Sequence, residues 1–362
     1  MRSHSIYNIG RVILGYALVC IVFVLPVSAQ NIKYAITDLG TFGGGRSVAF
    51  SINNWGEVVG YSENSLNESH AFLYQGGVLI DLGTLGGKES YAYRISDSGL
   101  IVGRSQNAKG FYRPFISAVA GPQFDLSSLD PLLDGLFSTL SGVNRMGQMV
   151  GYTATANGDN HGLRHRSFLY SNSQVVDLGT MGGEESVATA INDAGQIAGY
   201  ISKESHAAYA ARRAYVYSRG LVIDLGSFGG QMTTPTDINT SGQVVGYAQT
   251  PGGEPHAFIY SGKTLQDLGT LPGGSQSLAF GINDAGQVVG AADTSAKALH
   301  AFLYSKGIMQ DLNDLIPASS GWVLTEARSI NESGQIVGNG IVKGQEHGFL
   351  LTPVGVPRAK PN

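Results

Sequence analysis

Apolar positions along this chain come in short runs separated by glycine-rich turns. In the stretch 277–312 the runs 277–282, 287–291, 300–304 and 309–312 read as four strands, and 90–95, 101–105, 111–117 and 124–126 repeat the pattern. Runs this short, with turn signals every ~8–12 residues, predict an all-β protein. Between the first two strands of the later unit stand Asn283, Asp284, Ala285 and Gly286. Asparagine bonds the backbone two residues on and glycine accepts positive φ, so the four predict a type I turn closed by a bulge glycine.

One apolar run differs from the rest. Residues 12–25 are continuously apolar, Arg2 and Arg11 precede them, and Val27, Ser28 and Ala29 follow. A basic start, an apolar middle and a small-residue site predict a signal peptide over 1–29. The run falls short of the ~20 residues a membrane-spanning helix needs, which sets retention as an anchor below cleavage. The expectation is therefore a protein secreted to the extracellular space or the periplasm, with no membrane segment after cleavage. Loss of 1–29 takes two arginines and no acid, moving the formal charge from -4 to -6, and takes Cys20, the only cysteine. The mature chain is then expected to hold neither disulfide nor reactive thiol.

Three elements recur in order through the remainder. The turn Ile-Asn-x-x-Gly-x-Val-Val-Gly has its first glycine at Gly56, Gly99, Gly147, Gly195, Gly242, Gly286 and Gly334. The element Asp-Leu-Gly-Thr-Leu-Gly-Gly is headed by Asp38, Asp81, Asp125, Asp177, Asp224, Asp267 and Asp311, at spacings of 43, 44, 52, 47, 43 and 44. The third, His-Ala-Phe-Leu-Tyr, begins at His70, His256 and His300 and degrades elsewhere to forms headed by Arg113, Arg166, Arg213 and His347. On these residues the chain resembles the bacterial extracellular HAF (His-Ala-Phe) repeat family over 31–353. The resemblance implies export and tandem repeats, with no established reaction or catalytic residues to carry over. Some members end in an apolar sorting tail with a basic terminus; the absence of one over 353–362 favours release over anchoring.

Four strands in roughly 40–45 residues, repeated, is the arithmetic of a β-propeller blade. The rival is a linear solenoid. Residues 34–39 form a lone copy of the fourth strand, whereas the last unit stops after its third, at Leu351. A ring closed by that N-terminal strand leaves no edge unpaired. The expected fold is thus a seven-bladed β-propeller of four-stranded antiparallel blades, one domain over 30–353 with a tail over 354–362. Small residues at Ser47, Ser90, Ser138, Ser186, Thr233, Ser277 and Thr325, and again two positions on, suit the innermost strand. Their hydroxyls either ring a central channel or bond neighbouring backbone.

Composition narrows function further. The chain has 51 glycines in 362 residues, twice the ordinary ~7%, and only 14% charged residues against the usual ~25%. So few charges with net acidity leave no basic footprint for nucleic acid. No nucleophile elbow, phosphate loop, zinc helix or acidic calcium loop is present. Seven equivalent aspartates are expected to cap loop backbone rather than act as acids, because an active site needs a unique pair in different environments. The histidines 70, 256, 300 and 347 occupy one position in separate blades and cannot converge on a metal. No metal, cofactor or catalytic residue is expected.

Departures from the repeat are the better places to look. The second connection of each unit is long and dissimilar among copies: 63–69, 106–110, 153–165, 202–212 and 249–255. Binding surfaces sit on loops held by a rigid scaffold. The third and fourth units place His161, Arg164, His165, Arg166, His206, Arg212 and Arg213 there, a basic patch on an acidic protein, suited to anionic groups through bidentate guanidinium contacts. Asp125 to Phe137 replaces a glycine loop and is expected to form a short helix. Two functions remain. The first is a monomeric binding or scaffold module for extracellular or envelope polysaccharide or a protein partner, and not an enzyme. The second is a glycan hydrolase or lyase on the same fold.

Overall fold

The asparagine turn organises each repeat. In the first, Gly56 N–H donates to Asn53 O at 3.1 Å, Asn53 N–H donates to Glu57 O at 3.1 Å, and Gly56 takes φ +80°. The Asn53 side chain accepts from the N–H groups of Trp55 and Glu57. On either side the strands Gly43–Ile52 and Val58–Asn64 pair antiparallel, followed by Ser69–Gln75 and Val78–Asp81. The second glycine of the turn motif has a separate reason. A Cβ on Gly60 would lie 1.9 Å from Val48 O and 2.9 Å from the Phe72 ring. The inner strand and the aromatic residue of the third strand thus close on it from both sides. Phe72, Phe115, Phe168, Tyr215, Phe258, Phe302 and Phe349, one per repeat, are fully buried.

The computed structural model describes residues 34–355 except 120, 157–162 and 204–210. The expected leader, most of the expected tail, His161 and His206 lie outside these residues. The strands form five sheets of four and one of eight. The eight-stranded sheet unites the first and last repeats through one parallel pair, Arg46 and Glu346, where Arg46 Nε donates to Glu346 Oε2 at 2.7 Å. Six sheets therefore stand where seven blades were expected, and that single contact is the reason.

The last repeat supplies Trp322–Ile330, Ile336–Val342 and Gln345–Pro353. Its fourth strand is Tyr34–Asp38, paired antiparallel from Tyr34 opposite Pro353 to Asp38 opposite Phe349. Tyr34 is 2% exposed, and burial pushes its phenol up to about 12. The apolar core lies between neighbouring sheets: Val59, Ala71 and Leu73 of the first repeat meet Ala92, Ile95, Ile101 and Phe115 of the second. The irregular segment after Asp125 forms two 3-10 turns, Leu126–Leu129 and Pro131–Asp134, capped by the carboxylates of Asp125 and Asp130. Among the described residues no helix is long and apolar enough to cross a membrane.

Candidate functional site

Each inner strand carries one extra residue relative to its partner at the same place in the repeat. The register skips between Ala49 and Ser51, Ala92 and Arg94, Leu140 and Gly142, Ala188 and Ala190, Pro235 and Asp237, Ala279 and Gly281, and Ala327 and Ser329. A bulge of this kind re-aims the side chain of the unpaired residue. The seven bulged residues are Phe50, Tyr93, Ser141, Thr189, Thr236, Phe280 and Arg328, and all seven line one cavity of about 370 Å³ on the axis. Because the lining draws one bulged residue from every repeat, the cavity lies where the inner strands converge.

Its wall has two halves. In repeat order Phe280, Arg328, Phe50 and Tyr93 are consecutive around the axis, and Ser141, Thr189 and Thr236 complete the circuit. Arg328 lies over Phe280, 4.6 Å from the ring centroid, and is ion-paired with Glu326. Behind Tyr93 the rings of Tyr91, Tyr112 and Phe137 surround Arg104, whose guanidinium sits 4.5 Å from the Tyr112 centroid and 4.9 Å from that of Tyr91. On the other half, Ser141 donates to Ala188 O at 2.6 Å and Thr236 to Ala279 O at 2.9 Å, each reaching the next repeat. Thr234, 6% exposed, lines the cavity with a hydroxyl that has no partner in the protein.

Arg94 forms the floor and pairs across the axis with Asp237, which lines not this cavity but a second one beneath it. The residue after the bulge is small in five repeats (Ser51, Gly142, Ala190, Gly281, Ser329) but is Arg94 in the second and Asp237 in the fifth. Arg94 donates to Thr236 O at 3.0 Å and lies 3.7 Å from Asp237. Burial raises the Asp237 carboxyl, and Arg94 with the Ile282 N–H pulls it part of the way back. Arg94 lines both cavities; the second, of about 310 Å³, is on the tight-turn side.

Around that second cavity Asn53 donates to Ser96 O, Asn144 to Asn192 O, Asn192 to Asn239 O, Asn239 to Asn283 O, Asn283 to Asn331 O, and Asn331 back to Asn53 O. The asparagines are turn formers, as expected, and also the links between neighbouring sheets. The one gap is at Ser96, whose hydroxyl meets Ser98 and Leu100 O instead.

The structure separates the other sequence candidates by role. All seven aspartates of the Asp-Leu-Gly element accept an N–H two residues on, at 2.7–2.9 Å. Six of them also hold the residue heading the third strand: His70, His256 and His300 in their own repeats, Asp38 with His347, and Asp177 and Asp224 with Arg166 and Arg213. Arg166 and Arg213 are thus the arginine versions of the histidine–aspartate pair. Arg212 lies over Tyr200, 4.8 Å from its centroid, and His165 lies 3.5 Å from Glu185 and 5.3 Å, ring to ring, from Tyr152, which lines the axial cavity. Arg164 shares the strand of His165, Leu163–Ser171, and its Nε is buried without a partner. The inner-strand hydroxyls Ser47, Ser90, Ser186 and Ser277 are fully buried and bond backbone, which for these four is the second alternative, whereas the Thr233 hydroxyl is buried without a partner. The bulged residue three positions on faces the axis instead. Among the described residues no group of three or more His, Cys, Asp or Glu is placed to hold a metal ion.

A family model described as a protein of unknown function, DUF3466, matches residues 233–350, the last third of the chain. No curated protein matches it. Among solved structures the chain is similar to the β-propeller domain of the Trilobed protease from Pyrococcus furiosus, described as having an open velcro topology (11% identity over 86% of this chain and 96% of that one, TM-score 0.51). It is also similar to a Mycobacterium tuberculosis puromycin-hydrolyzing peptidase (13% identity over 90% and 55%, TM-score 0.58) and a Pyrococcus horikoshii acylaminoacyl peptidase (10% over 89% and 53%, TM-score 0.54). The chain spans about half the length of these two peptidases. At such identities the likeness concerns fold alone, and with the four-stranded antiparallel sheets it identifies a β-propeller.

Proposed function

We propose that this chain is an exported HAF-repeat propeller that serves as a binding or scaffold module, taking an extracellular or envelope polysaccharide or a protein partner on the face that carries the variable second connections. In this reading the eight-stranded sheet counts as two blades joined at Arg46 and Glu346, giving seven, closed by Tyr34–Asp38. The observation that carries the reading is the bulge position. Seven residues share one backbone geometry and one cavity, yet run from Phe50 through Ser141 to Arg328, while the turn asparagine nearby is the same residue in six of the seven copies. A framework position repeats; a recognition position diversifies. Arg164, His165 and Arg212 add a basic rim on the third and fourth repeats, whereas Arg166 and Arg213 serve their aspartates. Binding is preferred to catalysis because the described lining of the cavity contains no carboxylate, histidine or cysteine to act as acid, base or nucleophile.

The test is a glycan array and a surface-protein array probed with the labelled full chain. A hit should weaken with Phe50→Ala or Arg212→Ser and be indifferent to Arg145→Ser on the tight-turn side. A ligand lost with Arg145→Ser and kept by the other two would place recognition on the opposite face.

A further inference from the structure

Resting on that reading, we infer that the axial cavity takes one or two pyranose rings of a neutral glycan, apolar C–H face toward Phe50 and Tyr93, hydroxyl edge toward Ser141, Thr189 and Thr234. Several observations converge on this class. The wall is uneven: Phe280, Phe50 and Tyr93, with Arg328 among them, make one arc, and hydroxyls gather on the other at Thr139, Ser141, Thr189, Thr234 and Thr236, where Tyr152 also stands. A pyranose is divided in the same way, and few ligands of this size are. Thr234 lines the cavity, and its buried hydroxyl is unpaired. A buried polar group without a partner costs free energy that a bound hydroxyl would recover.

The charges around the cavity are already compensated: Arg94 by Asp237, Arg328 by Glu326. An anionic ring would find no free guanidinium in the wall, so a neutral sugar fits better than the acidic one the rim arginines suggested. The remaining candidate, an extended peptide, needs open backbone on the inner strands. On the first, second, fourth and sixth repeats that backbone is met by a side chain of the preceding repeat. Ser51 accepts from Ile95 N–H, Ser329 from Ile52 N–H and Asp237 from Ile282 N–H, while Ser141 and Thr236 cover carbonyls. At about 370 Å³ the cavity sits near the lower end of ligand sites, which span about 300–1,000 Å³.

The experiment is ligand-observed NMR and calorimetry on the full chain with cellotriose, maltotriose and chitotriose as neutral probes, trigalacturonate as the acidic probe and the peptide Gly-Gly-Phe as the peptide probe. At least one neutral probe should bind. Thr234→Val, which removes only the orphan hydroxyl, should weaken it about tenfold with an unchanged Tm, and Phe50→Leu should weaken it further. Trigalacturonate should bind no tighter than the neutral probe. The inference is overturned if no neutral probe binds, if trigalacturonate or the peptide binds more than tenfold tighter, or if Thr234→Val leaves affinity intact. A ligand from the arrays that responds to Arg212→Ser but not to Thr234→Val would sink this inference and leave the binding reading standing.

Discussion

At the tight-turn end of the axis, six asparagines make the same bond to the next repeat; at the wide end, seven bulged residues share a backbone shape and little else. The two rings lie a few residues apart on the same inner strands. A link between neighbours must be the same at every step, since each donor also presents the next acceptor. Recognition of an asymmetric molecule requires the reverse, because a ring of identical side chains offers every orientation equally. Sequence uniformity along the repeat thus marks framework, and its breakdown marks the place to look for a ligand.

Breaking the ring itself should have the largest effect. Deleting residues 30–41 strips the strand from Gln345–Pro353 and the aspartate from His347. Stability should fall by several kcal/mol, a large share of the about 5–15 a domain possesses, and the bared edge should drive association visible by light scattering. An unchanged Tm with a monomeric profile would contradict the closing role. Next comes Asn239→Ala, which removes the bond to Asn283 O and the acceptor for Gln243 N–H; denaturant unfolding should show a loss of about 1–3 kcal/mol. The converse change, Ser96→Asn, fills the one gap and should add about 1 kcal/mol.

Smaller still is a pH effect on the wide side. Burial raises the Asp293 carboxyl, but the N–H groups of Gln276 and Ser275 and the Lys297 ammonium overcome it and hold it at about 2. A depressed carboxylate stabilises the fold above its unfolded pKa and ceases to as pH falls through its folded one. Stability should therefore drop between about pH 4 and 2, by about 1 kcal/mol after discounting for solvent screening, and Asp293→Asn should flatten that part of the curve. Least of all, Thr234→Val should leave stability within about 0.5 kcal/mol. A larger loss would make the wide ring framework as well and erase the contrast.

The strands, the asparagine turn and the capping aspartates are readable from spacing because each depends on neighbours a few residues away, and the displaced fourth strand at 34–38 because it is a lone copy of a repeated one. The axial residues are not. Simple alternation from Ser47 puts Ser47 and Ala49 toward the axis, and the inserted residue at Phe50 defeats it. The signal is present: a serine or threonine and an isoleucine (Val143 in the third copy) stand five positions apart in every copy, an odd interval, although Ser47, Ala49 and Ile52 are all buried. Arg166 and Arg213 belong to the repeat rather than to its departures for a related reason. Each stands eleven residues before its aspartate, as His70 does before Asp81, so repeat register already marked them as partners of the carboxylate. The floor contact from Arg94 to Thr236, beside Asp237, joins positions 142 residues apart, a distance over which no local pattern gives a sign.

The pairing of Tyr34–Asp38 with the last strand carries a consequence for the order of assembly. The first of these strands to leave the ribosome finds its partner only when the final repeat has been made, 309 residues later by the contact between Asp38 and His347. Apart from the single Arg46–Glu346 pair, every other strand pairing joins neighbours along the chain, so six local units can consolidate early while closure waits on the longest loop in the molecule, and contacts of such separation form slowly. Between those two moments the seventh unit has a bare flank, which is when it is most open to mispairing with another copy. Transplanting residues 34–38 to follow Pro353 would turn that distant meeting into an ordinary hairpin.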